Sequence, residues 1–157
     1  MAEQLDQSGP RLFGPEHVRK YRETGGREGH DWMGTATLIL TTRGRSSGQP
    51  RPTPLIYGQD GDNYVVVASK GGAPTHPAWY LNLERDPRAE IQVWAKTMTV
   101  SARAATGPER ERLWKLMVAQ WPAYDEYQTK TKREIPVVVL EPAAPGVADC
   151  CQRNALQ

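Results

Sequence analysis

The chain has 157 residues, of which 38% are hydrophobic and 24% are charged, the composition of one soluble globular domain. Its formal net charge is only +2, so the overall charge gives no indication of a nucleic-acid partner. No stretch approaches the roughly 20 apolar residues of a membrane span. The only two cysteines, the adjacent Cys150 and Cys151, are too few for a structural zinc site, and no metal site is predicted.

The first 30 residues are predicted to form a flexible segment that carries one short helix. Residues 1 to 14 are polar and interrupted by glycine and proline, so we expect them to be mobile. Pro15 is favourable in the first turn of a helix, and Gly25 and Gly26 would end that helix after PEHVRKYRET. The amino terminus lacks the basic and apolar regions of a signal peptide, which predicts a cytoplasmic protein.

Three strands are predicted in the first half of the main domain, which we assign to residues 31–142. TATLILTT (35–42), TPLIYG (53–58) and NYVVVAS (63–69) contain many of the β-branched and aromatic residues that favour strands. Asp60-Gly61 is a typical hairpin turn between the second and third of them. A helix is predicted at about 75–83, and Asp86-Pro87 would end it.

The second half of the domain contains a predicted hairpin, a helix and a last strand. AEIQVWA (89–95) and TMTVSARAA (97–105) alternate between apolar and polar residues, as half-buried antiparallel strands do. Thr106 and Glu109 have the spacing of a capping box and predict a helix that stops at Pro122. IPVVVLEP (135–142) is apolar throughout and predicts a central strand, and residues 143–157 are expected to form a disordered tail.

The predicted fold class is mainly β with peripheral helices. About six strands, mostly linked by hairpins, do not alternate regularly with helices, so a doubly wound parallel sheet does not fit. A small antiparallel barrel is the better interpretation of this order of elements.

Two segments have the composition of an anion-binding site. RGRSSGQPR (43–51) places three arginines among glycines and serines, and guanidinium and backbone N–H groups bind phosphate or carboxylate oxygens. SKGG (69–72) lies between a predicted strand and a predicted helix, where the lysine charge and the helix start favour a negatively charged ligand. Neither segment has the order of a Walker loop or of a dinucleotide-binding motif. The alternatives are a solvated basic turn and an ordinary surface lysine.

Aromatic residues form a third group of candidates. Trp121, Tyr124 and Tyr127 recur every three residues and would line one edge of a helical turn. Trp79 and Tyr80 lie on the predicted helix after the SKGG segment. Such rings can cover a planar heterocycle, with core packing as the alternative.

No familiar catalytic arrangement is present. The three histidines, His17, His30 and His76, are scattered and lack the spacing of metal ligands. There is no G-x-S-x-G motif around a nucleophilic serine. This absence favours chemistry performed by a bound organic cofactor that the protein positions.

Together these motifs resemble the deazaflavin (F420)-dependent nitroreductase family, a branch of the split-barrel flavin and deazaflavin oxidoreductases. The resemblance is carried, in the family's order, by LILTTRGRSSGQPRPTPL, VVVASKGGAPTHPAWYLNL, MTVSARAAT, WPAYDEYQ and REIPVVVLEP. It implies a split β-barrel with a groove for F420, a hydride carrier with a phosphate and an oligoglutamate tail. The cofactor-binding residues that the resemblance implies are Arg45, Ser46, Arg51, Pro54, Ala68, Ser69, Lys70, Gly71, Gly72, Ala73, His76, Trp79 and Tyr80.

The resemblance also places aromatic residues of the WPAYDEYQ segment above the deazaflavin, against the electron acceptor. It implies Tyr124, Tyr127 and Ser69 as catalytic residues, and Trp121 and Tyr124 as substrate contacts. Trp121 stands where the family has a tyrosine, a departure that concerns the substrate range more than the cofactor. In relatives the amino-terminal helix often folds over the substrate, and that helix is only loosely matched here.

The activity that the resemblance implies is hydride transfer from reduced F420 to a small electron-poor acceptor such as a quinone, an activated alkene or a nitroaromatic. A split barrel that binds a cofactor or fatty-acyl ligand without turnover is one alternative. An FMN-dependent reductase is another, because FMN also carries a phosphate. Both monomer and homodimer are open. A lipid quinone as acceptor would allow peripheral membrane contact, although segment 12–24 is only weakly amphipathic.

Overall fold

Eight strands and four α-helices form the part of the chain that the computed structural model describes, residues 14–143. The predicted mobile start and the tail with Cys150 and Cys151 lie outside the described residues. The strands are β1 (Asp31–Trp32), β2 (Thr35–Arg43), β3 (Pro50–Ile56), β4 (Gly58–Asp60), β5 (Asn63–Val67), β6 (Arg88–Val93), β7 (Lys96–Ala104) and β8 (Val137–Pro142). The helices are α1 (Gly14–Thr24), α2 (Ala78–Arg85), α3 (Gly107–Gln120) and α4 (Ala123–Thr129).

One antiparallel sheet contains all eight strands in the order β1-β2-β6-β7-β8-β5-β4, and β3 also pairs with β2. The sheet branches at β2, where Ile39 pairs with Gln92 of β6 and with Pro54 of β3. The resulting curled half-barrel with peripheral helices confirms the predicted fold class. The predicted number of about six strands is too low, because the two-residue β1 and three-residue β4 are too short to show a pattern.

Strand β3 starts at Pro50, three residues before the predicted strand. Prolines at every second position, Pro50, Pro52 and Pro54, share one side of the strand. Their missing N–H groups therefore face away from β2, and the residues between them supply the donors. An outer strand tolerates this arrangement. The prolines made the predicted strand start too late, although they do not prevent residues 50–52 from pairing with β2.

Strands β5 and β8 are buried on both faces. Val66, Val138 and Leu140 belong to a core cluster that includes Leu38 of β2, while the alternate residues of β5 and β8 pack against α3 and α4. Strand β8 lies between β7 and β5, which confirms the prediction of a central strand. Burial on both sides explains why VVVL of β8 shows no alternation of apolar and polar residues.

The helices follow the prediction with one shift, because α2 begins at Ala78 and not at Thr75. Pro77 takes the N-cap position in an extended conformation, so the helix cannot begin before it. None of the helices between residues 14 and 143 is long and apolar enough to cross a membrane.

Helix α1 is attached to the sheet through one fully buried tyrosine. Tyr21 packs with Val18 and Ile39. Its hydroxyl donates to the carbonyl oxygen of Thr37 at 3.0 Å and accepts from the backbone N–H of Trp94 at 2.9 Å. Burial raises the pKa of Tyr21 to about 12, so the hydroxyl keeps its proton and the donated hydrogen bond. The position of α1 matters because this helix forms one wall of the site described below.

We expect Tyr21→Phe to lower the free energy of unfolding by about 1–3 kcal/mol, because the Thr37 carbonyl and the Trp94 N–H lose their buried partner. Urea unfolding followed by fluorescence measures the change. Tyr64→Phe is the matched control, since no hydrogen bond joins the Tyr64 hydroxyl to another residue in the described part of the chain. Equal stabilities of the two variants would contradict the anchoring role.

Candidate active site

A groove runs between α1, β3 and the start of α2, and it consists of two adjoining cavities. The larger, about 890 Å³, is lined by four arginines and is called the basic cavity here: Arg19, Arg22, Arg45 and Arg51. The smaller, about 430 Å³, is called the aromatic cavity and is lined by Trp32, Trp79, Trp121, Tyr124 and Tyr127. The cavities share the residues at their junction: Gly14, Thr53, Pro54 and Trp79. One elongated ligand can therefore occupy both.

In the basic cavity, Arg45 is held by a buried asparagine. The Oδ1 atom of Asn82 accepts from the backbone N–H of Arg45 at 3.2 Å and from its guanidinium at 2.8 Å. The amide of Asn82 donates to the Thr42 hydroxyl at 3.0 Å, which fixes the orientation of the asparagine. Asn82 was missed in the sequence, where it is one polar residue within a helix. Its contacts lie about 40 residues away, so only the fold reveals its role.

Positively charged side chains far outnumber negatively charged ones in the basic cavity. Glu23 is the one carboxylate among its lining residues in residues 14–143, and it pairs with Arg19 at 3.2 Å. Arg51 donates to the Ser47 hydroxyl at 3.2 Å, and Arg22 donates to the Thr41 hydroxyl at 3.2 Å. Both guanidinium groups keep further N–H donors for a ligand. A polyanion is the ligand that such a surface favours.

The SKGG segment forms a left-handed turn directly after β5. The φ angles of Lys70, Gly71 and Gly72 are 47°, 64° and 87°. A lysine in this region costs roughly 1–2 kcal/mol, so the surrounding structure must hold it there. A Cβ atom on Gly72 would lie 2.8 Å from the carbonyl oxygen of Tyr127, which leaves room only for glycine. The turn therefore packs directly against α4, and Ser69, Lys70 and Gly71 line the aromatic cavity.

Arg133 stabilises this turn through hydrogen bonds to its backbone. Its guanidinium donates to three carbonyl oxygens, those of Ala68 at 3.2 Å, Ser69 at 2.8 Å and Ala73 at 2.9 Å. It also donates to Nδ1 of His76 at 2.9 Å, so this nitrogen carries no proton. Arg133 was not predicted as a site residue, although it begins the REIPVVVLEP segment. A single arginine before an apolar strand gives no local signal of contacts some 60 residues away.

The aromatic cavity offers hydroxyl groups to a ligand. Tyr124 is 5% exposed, and its hydroxyl has no hydrogen-bond partner within residues 14–143. Burial raises the pKa of Tyr124, so at neutral pH the hydroxyl stays protonated and can donate. The indole N–H of Trp121 donates to the Tyr127 hydroxyl at 3.3 Å, which leaves the Tyr127 proton free for another acceptor. Trp32, which the sequence analysis missed, faces Trp121 with ring centroids 6.1 Å apart.

The predicted site residues divide into two groups. Those that line the groove are Arg45, Ser46, Arg51, Pro54, Ser69, Lys70, Gly71, Trp79, Trp121, Tyr124 and Tyr127. Those that line neither cavity are Ala68, Gly72, Ala73, His76 and Tyr80, which belong to the turn, its flanks and α2. The rings of His76 and Tyr80 pack together with centroids 4.8 Å apart. Any effect of the second group on a ligand would be exerted through the shape of the turn.

We expect Arg133→Ala to increase amide hydrogen exchange of Lys70 to Ala73 by about 10- to 100-fold, because three carbonyl oxygens lose their donor. Exchange followed by mass spectrometry on peptides covering 68–76 measures this. Arg112→Ala is the matched control, because Arg112 pairs with Asp60 on the surface. Unchanged exchange in the turn would show that Arg133 does not hold it.

Comparison with known proteins identifies relatives of the whole described region. The family model of the F420H2-dependent quinone reductases matches residues 14–142. The F420H2-dependent quinone reductase Rv1261c of Mycobacterium tuberculosis is 44% identical over 128 residues, which cover 79% of this chain and 86% of that protein.

Two solved structures share the fold. An F420-H2 dependent reductase, FDR-A, is 44% identical with a TM-score of 0.63, and the match covers 67% of this chain and 93% of that one. A domain-swapped dimer is 40% identical with a TM-score of 0.67, and the match covers 80% and 92% of the two chains. These relatives confirm the family resemblance and give no support to the FMN alternative. The chain belongs to the F420H2-dependent quinone reductase family.

Proposed function

We propose that this protein is an F420-dependent reductase that transfers hydride from reduced deazaflavin to a quinone. The observation that carries the proposal is that the basic and aromatic cavities adjoin at Pro54 and Trp79, which line both. F420 has a flat ring at one end and a phosphate with a glutamate chain at the other, and the groove offers a matching surface to each. Family membership supports the same cofactor.

The cofactor's anionic part would lie in the basic cavity. Arg51 and Ser46 offer donors there, and Arg45 is oriented by Asn82. Lys70 lies at the entrance to the aromatic cavity, where its ammonium group donates to the Thr75 hydroxyl at 3.3 Å and keeps two further protons. Its charge is therefore available to the phosphate or to an ionised ring oxygen.

The flat ring and the acceptor would meet in the aromatic cavity. When bound, the reduced cofactor supplies hydride from C5 of its deazaflavin ring. The aromatic walls would hold two planar partners face to face, and such positioning contributes a large part of the acceleration. Tyr124 donates a hydrogen bond to the acceptor oxygen on which negative charge develops. Tyr127 and Ser69 border the same space and are the further catalytic candidates.

A quinone is the acceptor class proposed first because the named relatives are quinone reductases. Nitroaromatics and activated alkenes share its electron-poor character and belong in the same assay. The dimer formed by one solved relative makes a homodimer the assembly to test by light scattering. Cytoplasmic location and peripheral membrane contact stay predictions from the sequence.

Direct assay of the purified protein tests this function. Reduced F420 is mixed with the protein and a naphthoquinone, and the return of the absorbance of oxidised F420 is recorded without oxygen. Turnover is expected with F420, and no turnover is expected with reduced FMN or a reduced nicotinamide cofactor. Tight cofactor binding without oxidation would instead identify a carrier. Preference for FMN would contradict the proposed cofactor.

We expect Lys70→Ala to raise the F420 dissociation constant at least tenfold, which corresponds to about 1.4 kcal/mol. The reason is the loss of a positive charge beside the cofactor's anionic groups. Fluorescence titration with oxidised F420 measures the affinity. Lys96→Ala is the control, since Lys96 is an exposed residue of β7 and lines neither cavity. An equal affinity of both variants would remove Lys70 from the site.

We expect Tyr124→Phe to lower kcat by about 100-fold while F420 affinity changes less than twofold, because the lost donor acts on charge that develops at the acceptor. Steady-state kinetics at saturating reduced F420, together with a cofactor titration, separate the two effects. Tyr64→Phe again serves as the control. A loss of cofactor affinity with kcat preserved would place Tyr124 against the cofactor and not the acceptor.

A further inference from the structure

His17 is a buried histidine on the wall of the aromatic cavity, and the proposed function above does not use it. It belongs to the second turn of α1, and only 3% of its surface is exposed. It lines the same cavity as Tyr124 and Tyr127. Among the residues that line this cavity in the described chain, His17 carries the only imidazole.

The orientation of the His17 ring is fixed. Its Nε2 donates to the carbonyl oxygen of Gly29 at 2.9 Å, and the Thr37 hydroxyl donates to the same oxygen. The Cδ2 and Nε2 atoms lie 3.0 and 3.1 Å from where a Cβ of Gly29 would be, and Gly29 has a φ of 115°. Trp32 stacks on the ring at a centroid distance of 6.3 Å. The Nδ1–Cε1 edge therefore faces away from Gly29.

Nδ1 of His17 has no hydrogen-bond partner in residues 14–143. A buried ring nitrogen without a partner is costly, and such groups require an explanation. The Gly29 carbonyl oxygen can only accept a hydrogen bond, so Nε2 of His17 must carry a proton. An imidazole that is held at one nitrogen, unpaired at the other within the described residues, and placed on the wall of a cavity has the arrangement of an oriented acid–base group.

We propose that Nδ1 of His17 donates a proton to the acceptor oxygen during reduction, an inference that rests on the proposed function. A quinone that becomes a hydroquinone gains a hydride and a proton. The hydride comes from the reduced cofactor, which is oxidised and releases its remaining proton to solvent. The protonated imidazole gives its Nδ1 proton to the oxygen, keeps Nε2–H on Gly29, and is protonated again from solvent.

Tyrosine hydroxyls in the cavity are less suited to this transfer. Burial raises the pKa of Tyr124, so its hydroxyl donates hydrogen bonds but releases a proton poorly at neutral pH. An imidazole can both donate a hydrogen bond and release a proton, which is why histidine is a common acid–base group. No carboxylate lines the cavity in the described chain. The ring of Tyr21 on α1 lies 6.5 Å from that of His17 between centroids, and the titratable groups that line the same cavity are Lys70, Tyr124 and Tyr127.

His17→Gln tests the proposal with little change in structure. The glutamine amide can still donate to the Gly29 carbonyl, but no group replaces Nδ1. We expect kcat for the quinone to fall about 100-fold and the F420 dissociation constant to change less than twofold. In the wild type, kcat/KM should fall as pH rises because the proton donor is lost, and this limb of the pH profile should be absent in His17→Gln. Added imidazole should restore part of the activity of His17→Ala.

Nitrogen NMR provides a readout that needs no turnover. Cofactor-free protein with labelled histidine is titrated with a naphthohydroquinone, and the Nδ1 signal of His17, assigned with His17→Gln, should shift and saturate. If the Nδ1 signal does not shift on titration, the proposal is overturned, whether or not the hydroquinone binds elsewhere on the protein. An active wild type with the same rate and pH profile as His17→Gln would also overturn it. A wild type that does not oxidise reduced F420 would instead refute the proposed function itself.

Discussion

The site depends on the contact between one guanidinium group and the backbone turn that follows β5. The chain leaves the buried end of β5 and must reverse within a few residues into α2, with Lys70 in a left-handed conformation. Arg133 binds three carbonyl oxygens of this turn, which offsets the cost of that conformation. Because Gly72 also touches the backbone of Tyr127, the turn and α4 form one unit. The lysine and the tyrosines are thereby fixed relative to each other.

Helix α1 forms the opposite wall of the groove, and its apolar and polar faces make different contacts. Tyr21 and Val18 attach α1 to the sheet, while Arg19 and Arg22 face the basic cavity. The first residue of the helix, Gly14, lines both cavities. A helix held mainly by one buried tyrosine and a few apolar contacts can open at lower cost than the strands beneath it. Ligand entry is therefore expected on the α1 side of the groove.

Local patterns predicted the sheet and the turn after β5 because their signals lie within a few residues. The alternation of β6 and β7 and the apolar run of β8 each report burial directly. Ser69 to Gly72 could be predicted because lysine and glycines at a strand end have a direct chemical meaning. Arg133, Asn82 and His17 could not, since each acts through partners from 12 to 65 residues away. Their roles exist only once the chain is folded.

The two cavities would recognise a ligand in different ways, the basic cavity by charge and the aromatic cavity by shape. In the basic cavity, arginines offer positive charge and several N–H donors to carboxylate or phosphate oxygens, and Arg45 does so in the orientation that Asn82 fixes. The aromatic cavity is rigid, because Trp121 donates to Tyr127 and Trp32 lies beside Trp121. Because the Trp121 indole N–H donates to the Tyr127 hydroxyl, the Tyr127 proton stays available to another acceptor. The acceptor is therefore selected by the width between these rings and by the few hydroxyl and imidazole groups that reach it.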